Sequence, residues 1–177
     1  MKTGFSLLAF LLLFVSSGYA QQTKSQSARN KETTIKIIKA FDAGDADALE
    51  NWIAKDAVTH SDVPPGMKSS GLEAVKEMCK MHKAAFPDMK TTIRTIATAG
   101  DTVIAYFVSV GTNTGPFMGM PATNKKINME GVDIIRFKNG KAVEHWGVYD
   151  NMKMMQQMGM MPPPPPPPVA PPGNKEN

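Results

Sequence analysis

Residues 125–150 read KKINMEGVDIIRFKNGKAVEHWGVYD, two strand-length runs hinged on Asn139-Gly140. Asn-Gly between alternating runs is the strongest short-range hairpin signal, because both central residues of a type I′ turn need a positive φ. The same period of two continues upstream. Runs 89–99 and 102–112 meet at Gly100-Asp101. Residues 89–150 therefore carry four strands, with tight turns inside each pair and a Gly/Pro loop over 113–124 between the pairs.

Ahead of the strands the period is helical. Residues 31–43 place Ile35, Ile38 and Phe41 with Ile37 on one stripe, and Gly44 stops it. Asp45 or Asp47 can cap a short second helix through Asn51-Trp52-Ile53. Residues 56–60 are a short strand candidate, ended by Pro64-Pro65-Gly66. Residues 71–85 form an amphipathic helix closed by Phe86-Pro87-Asp88, and 151–158 read as a closing helical turn. Helices first and hairpin-linked strands after them predict an α+β fold, an antiparallel sheet with helices on one face.

The length of 177 residues suits one domain and not comfortably two. Apolar residues at 42% and charged residues at 20% exclude a wholly disordered chain. A formal charge of +4 without a basic block is too mild for a nucleic-acid binder. A single cysteine excludes an intramolecular disulfide framework and any multi-Cys metal site.

Both termini read as lying outside the domain. Lys2, the apolar run FSLLAFLLLFV over 5–15 and the small residues before Ala20 have the form of a secretory signal peptide. The run is about half of what a membrane span needs. Export with cleavage after Ala20 is expected, leaving no membrane attachment. Residues 21–30 are polar and read as a linker, and 31–160 as the domain. Residues 161–177 read as a disordered tail. Within it the seven prolines from Pro162 to Pro168 donate no backbone hydrogen bond, and a solvated polyproline rod is expected there.

Three stretches then carry a resemblance: FPDMKTTI (86–93), GTNTGPFMGMPATNKKI (111–127) and GVDIIRFKNGKAVEHWGVYD (131–150). In order and spacing they resemble the SnoaL-like polyketide cyclase family, the ester-cyclase branch of the nuclear-transport-factor-like cone superfamily, over about residues 31–159. The resemblance implies a strongly bent antiparallel sheet wrapped by helices into a cone with an apolar pocket. It spans activities from cyclases, isomerases and dehydratases to pure binding modules.

The resemblance also points to site residues. Asp150 matches the acidic residue that such cyclases use as general acid and base, and a carboxylate in an apolar pocket suits proton transfer beside a carbonyl. The same residue, just before Asn151, is a good helix N-cap. His60 matches a place where relatives carry a pocket histidine, and a surface loop histidine is the rival reading. Asp133 shares its face with Gly131, Ile135 and Phe137, so it is either a second pocket acid or a buried ion pair with Arg94 or Arg136. Trp146, Phe117, Met118 and Tyr106 are placed around the pocket mouth and wall. Asn113 stands where many relatives carry His; it keeps a donor and an acceptor but is no acid near neutral pH. If Trp146 and Asp150 face inward, His145 faces away and is structural. His82, near a helix C-terminus, is given no site role.

Six of the 14 methionines fall in 152–161, where soft copper ligation competes with packing in place of leucine, and packing is preferred. Cys79 reads as a small buried hydrophobe. Two functions follow from these residues. One is an exported enzyme doing cofactor-free acid/base chemistry, of cyclase or isomerase type, on a small apolar molecule, with no metal. The other is a non-catalytic binding or protein-interaction module of the same fold. A small-molecule ligand is the expected partner, with a homodimer left open.

Overall fold

A computed structural model describes residues 26–61, 63, 67–68 and 70–162. The signal-like segment 1–20 and the tail from 163 onward lie outside them. The first helix, α1, spans 26–43. It begins inside the stretch expected to be linker, because Asn30 and Thr34 extend its buried face as polar residues. Thr34 Oγ1 donates to the Asn30 carbonyl at 3.0 Å, and Gln26 Nε2 to Asn30 Oδ1 at 2.8 Å. These bonds let polar side chains be buried where a hydrophobic stripe shows nothing. Gly44, at φ 74°, ends the helix as expected.

A 3-10 turn at Asp47–Asn51 follows, with Asp45 Oδ1 accepting from the Ala48 N–H at 3.1 Å. Ile53 opens strand β1 (Ile53–Thr59) instead of closing a helix. Helix α2 spans Leu72–Ala85. Strands β2 (Lys90–Ala99), β3 (Thr102–Thr112), β4 (Lys126–Lys138) and β5 (Lys141–Tyr149) then match the four predicted runs closely. Helix α3 (Asn151–Gln157) closes the domain.

The sheet order is β1-β5-β4-β3-β2, and the four hairpin strands are antiparallel as predicted. β1 lies parallel to β5, so the five-stranded sheet is mixed and open. Register shifts interrupt the β2–β3, β4–β5 and β1–β5 ladders. Such bulges bend a sheet and increase its twist. One sheet face carries Val103, Ala105, Phe107, Ile135 and Phe137 into the interior. The other leaves Ile104, Tyr106, Val110 and Val148 exposed.

The core is divided. One cluster joins α1, the 3-10 turn, β1, α2 and the sheet through Ile37, Leu49, Ile53, Cys79 and Phe137. The other gathers Ala85, Phe86, Phe117, Ile127, Met154 and Met158 beneath α3. The preference for packing at the methionines holds at Met154 and Met158, which are buried, while Met152 and Met161 are exposed. Cys79 is fully buried, its Sγ 3.8 Å from the Ala40 carbonyl, and burial pushes its thiol pKa up.

Candidate active site

Between the two clusters lies a cavity of about 300 Å³ lined by residues of both. This is the lower end of the range for small-molecule sites. Its walls are mostly apolar, with Phe41, Phe86, Phe107 and Phe117 among several methionines.

On the sheet wall, three polar side chains converge. β4 presents Asp133, and β5 presents His145 and Tyr149. His145 Nε2 lies 3.0 Å from Asp133 Oδ1, and the Tyr149 hydroxyl donates to the same oxygen at 2.8 Å. On the far side of the imidazole, Thr59 Oγ1 of β1 lies 2.8 Å from His145 Nδ1. With an ionised Asp133, which can only accept, Nε2 carries the proton. Thr59 then donates to Nδ1, and this bond fixes the ring. Asp133 Oδ2 has no hydrogen bond among the described residues, and Asp133 lines the cavity. One carboxylate oxygen is thus anchored by two donors and the other is left for a ligand.

Tyr149 is held as a donor. Burial first, and then the Asp133 carboxylate, push its phenol pKa well above the usual range. Its ring occupies space that two glycines leave open. A methyl group on Gly131 or Gly147 would overlap it. The phenol is therefore positioned by absent side chains as well as by present ones.

The parity of β5 decides which residues reach this wall. An unbroken two-residue hairpin at Asn139-Gly140 would set Trp146 opposite Asp133. The ladder instead pairs Phe137 with Ala142 and Arg136 with Glu144, so β5 holds one extra residue there. Beyond that bulge Asp133 faces Gly147 and Ile135 faces His145. A one-residue shift exchanges the two faces of a strand. His145 and Tyr149 consequently face the cavity, and Trp146 does not.

Of the residues expected at the site, Asp133, Phe117 and Met118 line the cavity. Asp133 pairs with His145 and Tyr149, and with neither arginine. Trp146 stacks on His60 away from the cavity, ring centroids 4.6 Å apart and planes 11° from parallel. His60 Nε2 lies 3.5 Å from Glu144 Oε2, and Glu144 also pairs with Arg136, whose hydrogen bond holds the carboxyl pKa down. Tyr106 is on the outer sheet face, its hydroxyl donating to Glu130 Oε2 at 2.9 Å.

Asn113 is fully buried in the fold, with all its polar atoms engaged. Nδ2 donates to the Gly115 carbonyl at 2.8 Å, and Oδ1 accepts from Thr123 N at 2.9 Å and Thr123 Oγ1 at 3.0 Å. It pins the loop that carries Phe117 and Met118 instead of meeting a ligand.

Asp150 is likewise outside the cavity. It is exposed, and its Oδ1 accepts from the Lys153 backbone N–H at 3.0 Å as the N-cap of α3. Asp150→Asn should leave stability unchanged, since Asn caps comparably, whereas Asp150→Ala should cost about 1 kcal/mol. Urea denaturation of both variants checks this; equal losses would contradict the capping role.

The profile of the SnoaL-like polyketide cyclases matches residues 32–158, nearly the whole described domain. The chain belongs to this family. Nogalonic acid methyl ester cyclase of Streptomyces nogalater is 26% identical over 124 residues, 70% of this chain and 92% of that protein. IdmH of Streptomyces antibioticus, assigned as a polyketide cyclase, is 34% identical. The match covers 73% of this chain and 98% of IdmH, with a TM-score of 0.62. A SnoaL-like protein of Jannaschia sp. CCS1 superposes with a TM-score of 0.68 over 77% of this chain and 95% of its own. At 18% identity that likeness concerns the fold alone.

For this SnoaL-like chain, sequence patterns did not bring Tyr149 or Thr59 to the site, and they set His145 facing away as a structural residue, whereas it lines the cavity. Their signal was the parity of Asp133 itself. Its neighbours Gly131, Ile135 and Phe137 mark one face of β4, and whatever β5 sets opposite that face must share the cavity.

Proposed function

We propose that this SnoaL-like domain catalyses a cofactor-free, redox-neutral ring closure on a small, mostly apolar ketone, with Asp133 as the acid/base group. The observation that supports this most is a carboxylate with one oxygen anchored by His145 and Tyr149 and the other unengaged in an apolar cavity. The two donors compensate the charge for the water it loses.

Asp133 Oδ2 takes a proton from a carbon beside a carbonyl. The C–H electron pair becomes an enolate, whose carbon attacks a second carbonyl of the same molecule. One C–C bond forms and one C=O π bond opens. The proton held by Asp133 then returns to the new alkoxide, so nothing is oxidised or consumed. The name of the Streptomyces nogalater relative, a cyclase of a methyl ester, agrees with this reaction class.

The first half-reaction tests the proposal without a known substrate. In D2O, the protein should speed deuterium uptake at the acidic carbon of small aromatic β-diketones, followed by NMR. Binding of the diketones without any acceleration would contradict the catalytic reading and favour a binding module.

Export belongs to the same proposal and is supported by the sequence of residues 1–20. The mature protein should begin at Gln21 by intact mass. An uncleaved N-terminus would instead indicate an anchor.

A further inference from the structure

The helical wall of the cavity carries a second polar group, His82, in the last turn of α2. Its Nδ1 lies 2.9 Å from the Met78 carbonyl. A carbonyl only accepts, so Nδ1 bears the proton, and in the neutral ring Nε2 is a bare acceptor. Burial pushes the His82 pKa down, which keeps the ring neutral. Phe117 and Phe41 meet the imidazole edge-on, with centroids 5.5 Å and 6.3 Å away, and hold its orientation.

Nε2 has no hydrogen bond among the described residues. Yet every fully buried polar side-chain atom among them has a partner. Nε2 therefore keeps accessible surface, and His82 is a half-buried residue that lines the cavity.

We propose that His82 Nε2 accepts a hydrogen bond from a hydroxyl of the bound molecule, so that the cavity selects hydroxylated aromatic or enolic ketones. The inference rests on the acid/base reading for the ketone end, which faces Asp133 and Tyr149 on the sheet wall. The hydroxyl end faces the helical wall. An acceptor without a proton of its own rewards a donor and leaves a ligand lacking one with an unpaired lone pair.

The test uses 6-acetyl-2-naphthol and its deoxy analogue 2-acetonaphthone, with binding to the full domain followed by probe fluorescence. The wild type should bind the naphthol roughly five- to ten-fold more tightly, the value of one neutral hydrogen bond. His82→Phe keeps an aromatic ring between Phe41 and Phe117. It should erase that preference while leaving 2-acetonaphthone affinity within about two-fold. Asp133→Asn should retain the preference, because the hydroxyl does not meet Asp133.

Equal affinity of the wild type for both probes, or a preference that survives His82→Phe, would overturn the assignment of His82 and leave the acid/base reading standing. Loss of deuterium exchange with the preference intact would overturn the acid/base reading alone. Failure of both probes to bind the wild type would overturn the cavity as a ketone site, and this assignment with it.

Discussion

Asp133→Asn should slow deuterium uptake into a bound β-diketone by 10²- to 10⁴-fold, the usual contribution of a positioned general base. The amide preserves the shape of the carboxyl group and can still accept from Tyr149 through its oxygen. It cannot take a proton, and its NH2 meets either His145 Nε2–H or the ligand with a donor where an acceptor is required. The variant should remain folded, because Asp133 is only one partner in a wall built by β4 and β5. Its circular dichroism and melting temperature serve as the control. A rate within three-fold of wild type, in a folded variant, would remove Asp133 from the chemistry.

The second large effect concerns stability. Asn113→Ala removes the amide that joins Gly115 to Thr123 and also reaches the Ala85 carbonyl at 3.4 Å. The methyl group leaves the part-buried Thr123 N–H and the carbonyl of buried Gly115 without their partner. At roughly 1–3 kcal/mol for each buried polar group left unpaired, partly recovered by relaxation, the expected loss is about 3 kcal/mol. For a domain of this size that lowers the melting temperature by roughly 10 °C. The loop supplies Phe117 to the cavity, so affinity for 2-acetonaphthone should fall as well. A loss under about 1 kcal/mol in urea denaturation would mean that the loop is held by other contacts.

Local patterns in the sequence place most elements. The four hairpin strands and α2 lie close to their expected bounds because period-two runs and Asn-Gly turns are short-range features. The start of α1 escaped this kind of reading. Asn30 and Thr34 are buried through hydrogen bonds to their own helix, and a hydrophobic stripe does not register polar residues. The parallel pairing of β1 with β5 was also hidden, since Thr59 and His145 meet across 86 positions.

The site was legible only in part, for one physical reason. Asp133 was placed correctly on an apolar face, but the bulge near Ala142 reverses the parity of β5. That single inserted residue turns Trp146 outward and brings His145 and Tyr149 in. Family resemblance drew attention to Asp150, whose position at the end of β5 serves the cap of α3.

The choice between the two aspartates is therefore the central test. The measurement is the rate of deuterium uptake into one bound aromatic β-diketone by wild type, Asp133→Asn and Asp150→Asn, side by side under identical conditions. Acid/base chemistry at Asp133 predicts a loss of at least 100-fold for Asp133→Asn and an unchanged rate for Asp150→Asn. The reverse pattern, with Asp150→Asn inactive and Asp133→Asn at the wild-type rate, would contradict it.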